Sequence, residues 1–246
     1  MKKISLVVVA VLLMLPSTIA FADDTKVTLG VRAWQNSWEE KVEYKTGGSD
    51  TYNFGSAMMV GPTLNIKFSN QMFAGATYLM TTKDYSANNF AGTGTTTSAS
   101  RSDTDVAVGY MFTPQFGMFV GYKSLNADLS ATPAGSGKVD IASLSLKGPG
   151  IGILGNIPLG ESFALYGNLS LMFMNEEIKS KLPGGGTHKM DMAGASMEIG
   201  VAFAFTSSLS ANLGIKSQAF SGEDEDTKDT VTESFVGATF GVTYMF

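Results

Sequence analysis

Residues 236–246 constrain the fold more than any other stretch of this chain. Val236, Ala238, Phe240, Val242, Tyr244 and Phe246 are apolar or aromatic, and Gly237, Thr239, Gly241 and Thr243 between them are small or polar. A period of two describes a strand with one greasy face and one wet face. The greasy face runs on to Phe246 with no polar residue to end it. Water rewards no such row. Hydrocarbon does, provided that every backbone group of the strand is paired, and only a closed sheet meets that condition.

The other end of the chain reads as an export signal. Lys2 and Lys3 precede an apolar run over residues 4–15, and Ala20-Phe21-Ala22 forms a small-residue cleavage site before Asp23. The run is short of the roughly 20 residues that a spanning helix needs. We therefore divide the chain into a cleaved signal peptide, residues 1–22, and one domain, residues 23–246. No later stretch is long and apolar enough for a spanning helix. The chain has no cysteine, which excludes a cysteine-linked lipid anchor and a disulfide framework. It is light in charge, at 16%. An exported chain of this kind is expected to close its sheet.

Tight and long polar breaks alternate between the strand-like runs. The tight ones are Ser69-Asn70-Gln71, Thr113-Pro114-Gln115, Pro158-Leu159-Gly160-Glu161 and Thr206-Ser207-Ser208. The long ones span 45–53, 86–101, 128–137, 179–189 and 221–230, rich in Gly, Ser, Thr and Asp. The fold class is all-β: a closed antiparallel transmembrane up-and-down β-barrel of ten strands, with eight the alternative. This pattern resembles that of bacterial outer-membrane β-barrel proteins. In that family a terminal Phe preceded by alternating apolar residues is read by the assembly machinery, and Phe240, Val242, Tyr244 and Phe246 match it. The resemblance implies residence in the outer membrane of a Gram-negative cell, with the short turns towards the periplasm. It implies outer-membrane lipid, surface glycolipid and the barrel-assembly machinery as partners. No further domain is expected after Phe246.

The alternation assigns faces. Val27, Leu29, Val31 and Ala33 face lipid, after which the phase blurs; Trp34 and Trp38 are expected at an outer aromatic girdle or packed on the neighbouring strand. Phe54, Met58, Val60, Leu64, Ile66 and Phe68 share a lipid-facing parity, with a bulge expected at Pro62. Val106, Val108, Tyr110 and Phe112 pair with Phe116, Met118, Val120 and Tyr122 in the clearest hairpin. A phase change is expected at Gly148-Pro149-Gly150, with Leu144 and Leu146 outward before it and Ile151 and Ile153 after. Later lipid-facing rows are Phe163–Phe173, Ala195–Phe205 and Leu209–Ile215.

On this register the lumen collects Arg32, Lys67, Lys123, Lys147 and Lys216 beside Asp105 and Glu198, with Glu176 near one mouth. Buried charges demand partners or water. An internal ion-pair network filling a narrow barrel is the favoured expectation, and a basic lumen passing anions is the alternative.

Chemistry-bearing motifs are scarce. The sole histidine, His188, sits in Gly184-Gly185-Gly186-Thr187-His188-Lys189, a setting that holds a base loosely. The acidic run over 223–229 misses the spacing of a calcium loop. No catalytic residue, metal site or cofactor is expected, and no basic aromatic patch suits nucleic acid. The function classes left are a structural or surface-interaction barrel and a narrow porin-like channel, with an enzyme a distant third.

Overall fold

A computed structural model describes residues 25–68, 70–90, 94–224 and 227–246. The expected leader, residues 1–22, lies outside them. The strands are β1 (Lys26–Glu43), β2 (Ser49–Lys67), β3 (Met72–Thr81), β4 (Tyr85–Phe90), β5 (Thr95–Thr113), β6 (Phe116–Thr132), β7 (Val139–Pro158), β8 (Phe163–Ser180), β9 (Thr187–Ala204), β10 (Leu209–Glu223) and β11 (Thr230–Met245). β3 and β4 both pair with β5, one after the other along its length. They are two halves of one stave, so the ring has ten staves and not eight. β1 closes it on β11, antiparallel from Thr28↔Met245 to Glu43↔Thr230. The backbone N–H of Phe246 continues the seam by donating to the Val27 carbonyl at 2.8 Å.

The tight turns are built by side chains that accept backbone donors. Thr113 Oγ1 accepts from the N–H groups of Gln115 (3.2 Å) and Phe116 (3.0 Å), and Thr206 Oγ1 does the same for Ser208 (3.2 Å) and Leu209 (3.0 Å). Each threonine supplies the acceptor that a short turn lacks.

The outer face has a sharp boundary. Going up each strand from the tight turns, the outward row is apolar and then turns polar: Ala33 to Gln35, Val106 to Thr104, Tyr122 to Ser124, Pro149 to Lys147, Phe173 to Asn175, Ile215 to Ser217 and Val236 to Ser234. In β8 the apolar row Phe163–Phe173 matches the roughly 9–11 residues of a tilted spanning strand, yet β8 has 18 residues. The strands therefore continue well beyond the bilayer as an extension with water on its outer face. This corrects the expected long loops. About half of 45–53, 86–101, 128–137, 179–189 and 221–230 is strand, and the connections between strands shrink to 44–48, 91–94, 133–138, 181–186 and 224–229. Ser- and Thr-rich stretches read as loop because no lipid forces an apolar row on them, but threonine is a good strand former.

Four further expectations are corrected. Trp34 and Trp38 are both 0% exposed and point into the barrel, so they form no girdle. β7 keeps one phase throughout: Leu144, Leu146, Gly148 and Gly150 face inward, and Lys147, Pro149, Ile151 and Ile153 outward. A Cβ on Gly148 would run into the backbone of Phe173 and Met174, so that glycine serves a close strand approach and no kink. Phe54 leaves the expected lipid row and is buried inside. The bulge responsible lies where Trp38 pairs with Gly55 and Glu39 with Asn53, and Gly55 has φ 78°. At Pro62 the β1–β2 ladder is continuous; β2 and β3 lack paired residues beside it, between Val60↔Met80 and Thr63↔Thr77. A proline has no N–H to give there.

Candidate functional site: the filled lumen

Every stave sends buried apolar side chains inward at the level of the outer interface. They are Trp34 and Trp38 from β1, Met59 from β2, Leu79 and Tyr85 from β3 and β4, Ala99 from β5, Leu125 from β6, Leu146 from β7, Met174 from β8, Met192 from β9, Phe220 from β10 and Phe235 from β11. Trp38 is the centre. Its ring stacks on Phe54 at 4.3 Å between centroids and meets Tyr85 and Phe235 at 5.6 Å each. Its indole N–H donates to Glu233 Oε2. The Tyr85 hydroxyl donates to Asn36 Oδ1 at 2.6 Å. Trp38 and Tyr85 thus have their polar edges bonded inside the plug, whereas the buried indole N–H of Trp34 has no hydrogen-bond partner among the described residues.

An ionic layer lies against the lower side of the plug. Arg101 grips Asp103 through Nε and Nη2, both at 2.7 Å. Lys123 Nζ bridges Asp103 Oδ2 (3.0 Å) and Asp105 Oδ1 (3.1 Å). Lys216 Nζ lies 3.6 Å from Asp105 Oδ2 and 4.8 Å from the centroid of Trp34. The Arg101 guanidinium is 3.7 Å from the Phe235 centroid. Deeper in the membrane Arg32 pairs with Glu198, which also accepts from Tyr166 Oη (3.1 Å) and Thr239 Oγ1 (3.0 Å). Fork geometry and shared lysines satisfy both oxygens of Asp103 and of Asp105, while Glu198 takes its three partners on Oε1; such pairing is what charges need in a low-dielectric interior.

Of the expected lumen charges, Lys123, Lys216, Asp105, Glu198 and Arg32 meet in this layer. Lys67 has an inward parity but lies exposed at the lower rim, opposite Lys26. Lys147 is corrected: it is exposed on the outer face, because β7 has no phase change. Sequence reasoning misses Arg101 and Asp103. The signal for them is the parity of Asp105 continued backwards through Asp103 to Arg101, which the loop reading of 86–101 cuts off. With both added and Lys147 removed, the layer balances Arg32, Arg101, Lys123 and Lys216 against Asp103, Asp105 and Glu198. Among the described residues it holds no large basic excess.

Below the layer the lumen is hollow. A cavity of 230 Å³ is lined by Arg32, Asn65, Thr77, Lys123, Asn168 and Glu198 among others. Above the plug, in the extension, three carboxylates gather on the inner face: Glu40, Glu176 and Glu233. They stand between polar outward neighbours, beyond the apolar band. Burial, the Trp38 bond notwithstanding, and the charges of Glu40 and Glu176 push the Glu233 carboxyl well up. Burial and Glu40 push Glu176 up to about 7. Burial raises Glu40 as well, against a bond with Glu233. Phe240, Val242, Tyr244 and Phe246, the residues expected to carry the assembly signal, form one exposed outward row.

His188 is exposed at the start of β9. Among the described residues no hydrogen bond ties it to a carboxylate, and none of their His, Asp and Glu groups is arranged to hold a metal ion.

An all-antiparallel ring with a lipid-facing apolar band defines an integral outer-membrane β-barrel protein of a Gram-negative bacterium. The chain belongs to the outer membrane protein β-barrel domain family, whose model matches residues 81–246. No curated protein matches the chain significantly. Among solved structures it is similar to the outer membrane protease OmpT from Escherichia coli, with a TM-score of 0.66 at 14% identity over 94% of this chain and 99% of that one. At that identity the fold is what is shared. The chain is also similar to the Neisserial surface protein A (TM-score 0.40, 13% identity, 89% and 97% covered) and to the outer membrane protein OprG from Pseudomonas aeruginosa (0.38, 14%, 88% and 96%), both too distant to carry an argument.

Proposed function

We propose that this protein is a closed, non-conducting barrel with a structural or surface-interaction role, exercised by the extension that stands above the bilayer. The observation that carries the reading is the plug. All ten staves contribute to it, its tryptophans are 0% exposed, and the charges beneath it are bonded to one another. A conducting pore needs a continuous wet path lined by charges that are free to meet ions. Here the basic side chains are engaged by Asp103, Asp105 and Glu198. Surface glycolipid is the first neighbour that the outer face of the extension meets, and the terminal aromatic row is the handle for the barrel-assembly machinery. The hollow lower lumen favours the second reading, a narrow channel, only if the plug moves.

Planar-bilayer conductance of the refolded barrel tests the proposal. The wild-type protein should give no steady current. Replacing Trp34 and Trp38 together by Ala should give a small, stable one. A wild-type conductance whose ion selectivity reverses in Lys123→Glu/Lys216→Glu establishes the channel instead. Catalysis forms no part of the proposal, because it requires a base held at fixed geometry and His188 is exposed and unanchored.

A further inference from the structure

The upper mouth holds a chamber that the plug does not use. Its volume is 150 Å³, and its lining is Glu40, Glu176, Ile178, His188, Lys189, Met190, Asp224 and Val231. A cavity of this size takes a molecule as large as benzene. Glu176 makes it unusual. That side chain is 2% exposed, and neither of its carboxylate oxygens has a hydrogen-bond partner. Glu233, 1% exposed beside it, leaves Oε1 unpartnered. A buried carboxylate without a donor is strongly disfavoured unless it is protonated or meets a cation.

The fixed charges around the chamber come from every side. β1 brings Glu40, β8 Glu176, β11 Glu233, and the turn after β10 brings Asp224. Against them β9 brings Lys189 and His188, and β5 brings Arg101 from below. Lys189 is engaged by Glu177 at 3.4 Å, and Arg101 by Asp103. Glu176 is therefore not neutralised from within. The other walls are the aliphatic side chains of Ile178, Val231 and Met190. A hydrated divalent ion wants a cage of oxygens, and no such arrangement exists among the described residues.

We infer that the chamber binds a primary ammonium group on an aliphatic stem, as carried by a lysine side chain or a polyamine. The stem lies against Ile178, Val231 and Met190, and the ammonium donates to the unpartnered oxygens of Glu176. Site and plug are separable: the chamber lies above the plug, so its occupancy does not depend on whether the barrel conducts.

The two tryptophans give an optical readout, since Trp38 donates to Glu233, whose carboxyl feels the charge of Glu176. Refolded full-length barrel should be titrated with Nα-acetyl-lysine amide and with putrescine, by fluorescence and calorimetry, at pH 8 and pH 5.5. Saturable binding at pH 8 that weakens at least tenfold at pH 5.5 is expected, because protonated carboxyls no longer attract the ammonium. The tighter of the two probes identifies the source. Butanol should not bind. Glu176→Gln should abolish binding, and Ile178→Trp should block it by filling the chamber with all charges kept. The inference is overturned if neither probe saturates at pH 8, if both variants bind as wild type, or if calcium binds with the affinity expected of the amine.

Discussion

Glu40 and Glu233 face each other as direct cross-strand partners in the β1–β11 ladder, on the inner side of the seam that closes the barrel. Like charges at such positions repel, and Glu176 adds a third carboxyl from β8. The seam is thereby made sensitive to protonation just above the bilayer, where Trp38 and Phe235 close the lumen one step below.

Stability should fall as pH rises. The Glu176 carboxyl, raised from 4.5 to about 7 in the folded protein, keeps its proton longer there than in the unfolded chain. The folded state is favoured below pH 4.5 and loses that advantage as pH rises through about 7. At about 1.4 kcal/mol per pKa unit, the loss from this group is at most about 3.5 kcal/mol. Urea unfolding in vesicles at pH 5 and pH 8 measures it. Glu176→Gln should flatten the difference, and an unchanged slope would refute the assignment.

The two lysines Lys123 and Lys147 should behave oppositely. Lys123→Met removes the buried cation that Asp103 and Asp105 share, leaving them only Arg101 and the more distant Lys216, and should cost about 3–5 kcal/mol. Lys147→Glu changes an exposed outward position and should move stability by less than about 0.5 kcal/mol. The urea midpoints of both variants against wild type decide it. A large loss from Lys147→Glu would mean that β7 does carry the inward register at that position.

Trp38→Ala should cost about 3–5 kcal/mol through the cavity that it leaves, with a further loss because Glu233 keeps no donor on Oε2. Trp38→Phe should cost less, since it preserves most of the packing against Phe54 and Tyr85. Equal losses would show that the indole N–H, and not the ring, is what matters.

Deleting Phe246 should slow assembly in cells and lower the yield of folded barrel on heat-modifiable gels. The residue ends the exposed row Phe240, Val242, Tyr244, its ring lies 4.9 Å from Tyr244, and its N–H closes the seam at Val27. Assembly at the wild-type rate would remove it from the signal.

Protease sites inserted in the connection 133–138 should be cut on intact cells, and one at Pro114 should not. Cutting in the reverse pattern would invert the orientation.

The lipid face was legible residue by residue. Val106, Val108, Tyr110 and Phe112, or Phe240, Val242 and Tyr244, need no particular partner, only hydrocarbon. A bilayer acts as a solvent, so each strand declares its outer row locally, through period-two alternation. Membership of the outer-membrane barrel class and the ten-stave count follow from that repetition and from the tight turns. The inner face is different. Nothing local says that Phe54 turns inward: a bulge at Gly55, set against Trp38 on the neighbouring strand, re-aims it. Lys147 looks inward if Gly148-Pro149-Gly150 is taken as a break, and outward once β6 and β8 hold β7 in a single phase. Arg101 and Asp103 sit in a polar stretch with the composition of a loop, and become a buried ion pair only because Lys123, Trp34 and Phe235 arrive from other staves. Above the bilayer, water on the outside removes the alternation that marks a strand, and the extension shows itself only when the staves pair. The sequence by itself determined the solvent that each outer row meets. The tertiary structure decided which inward side chains meet one another, because ion pairs and packing are set by strands far apart in the chain.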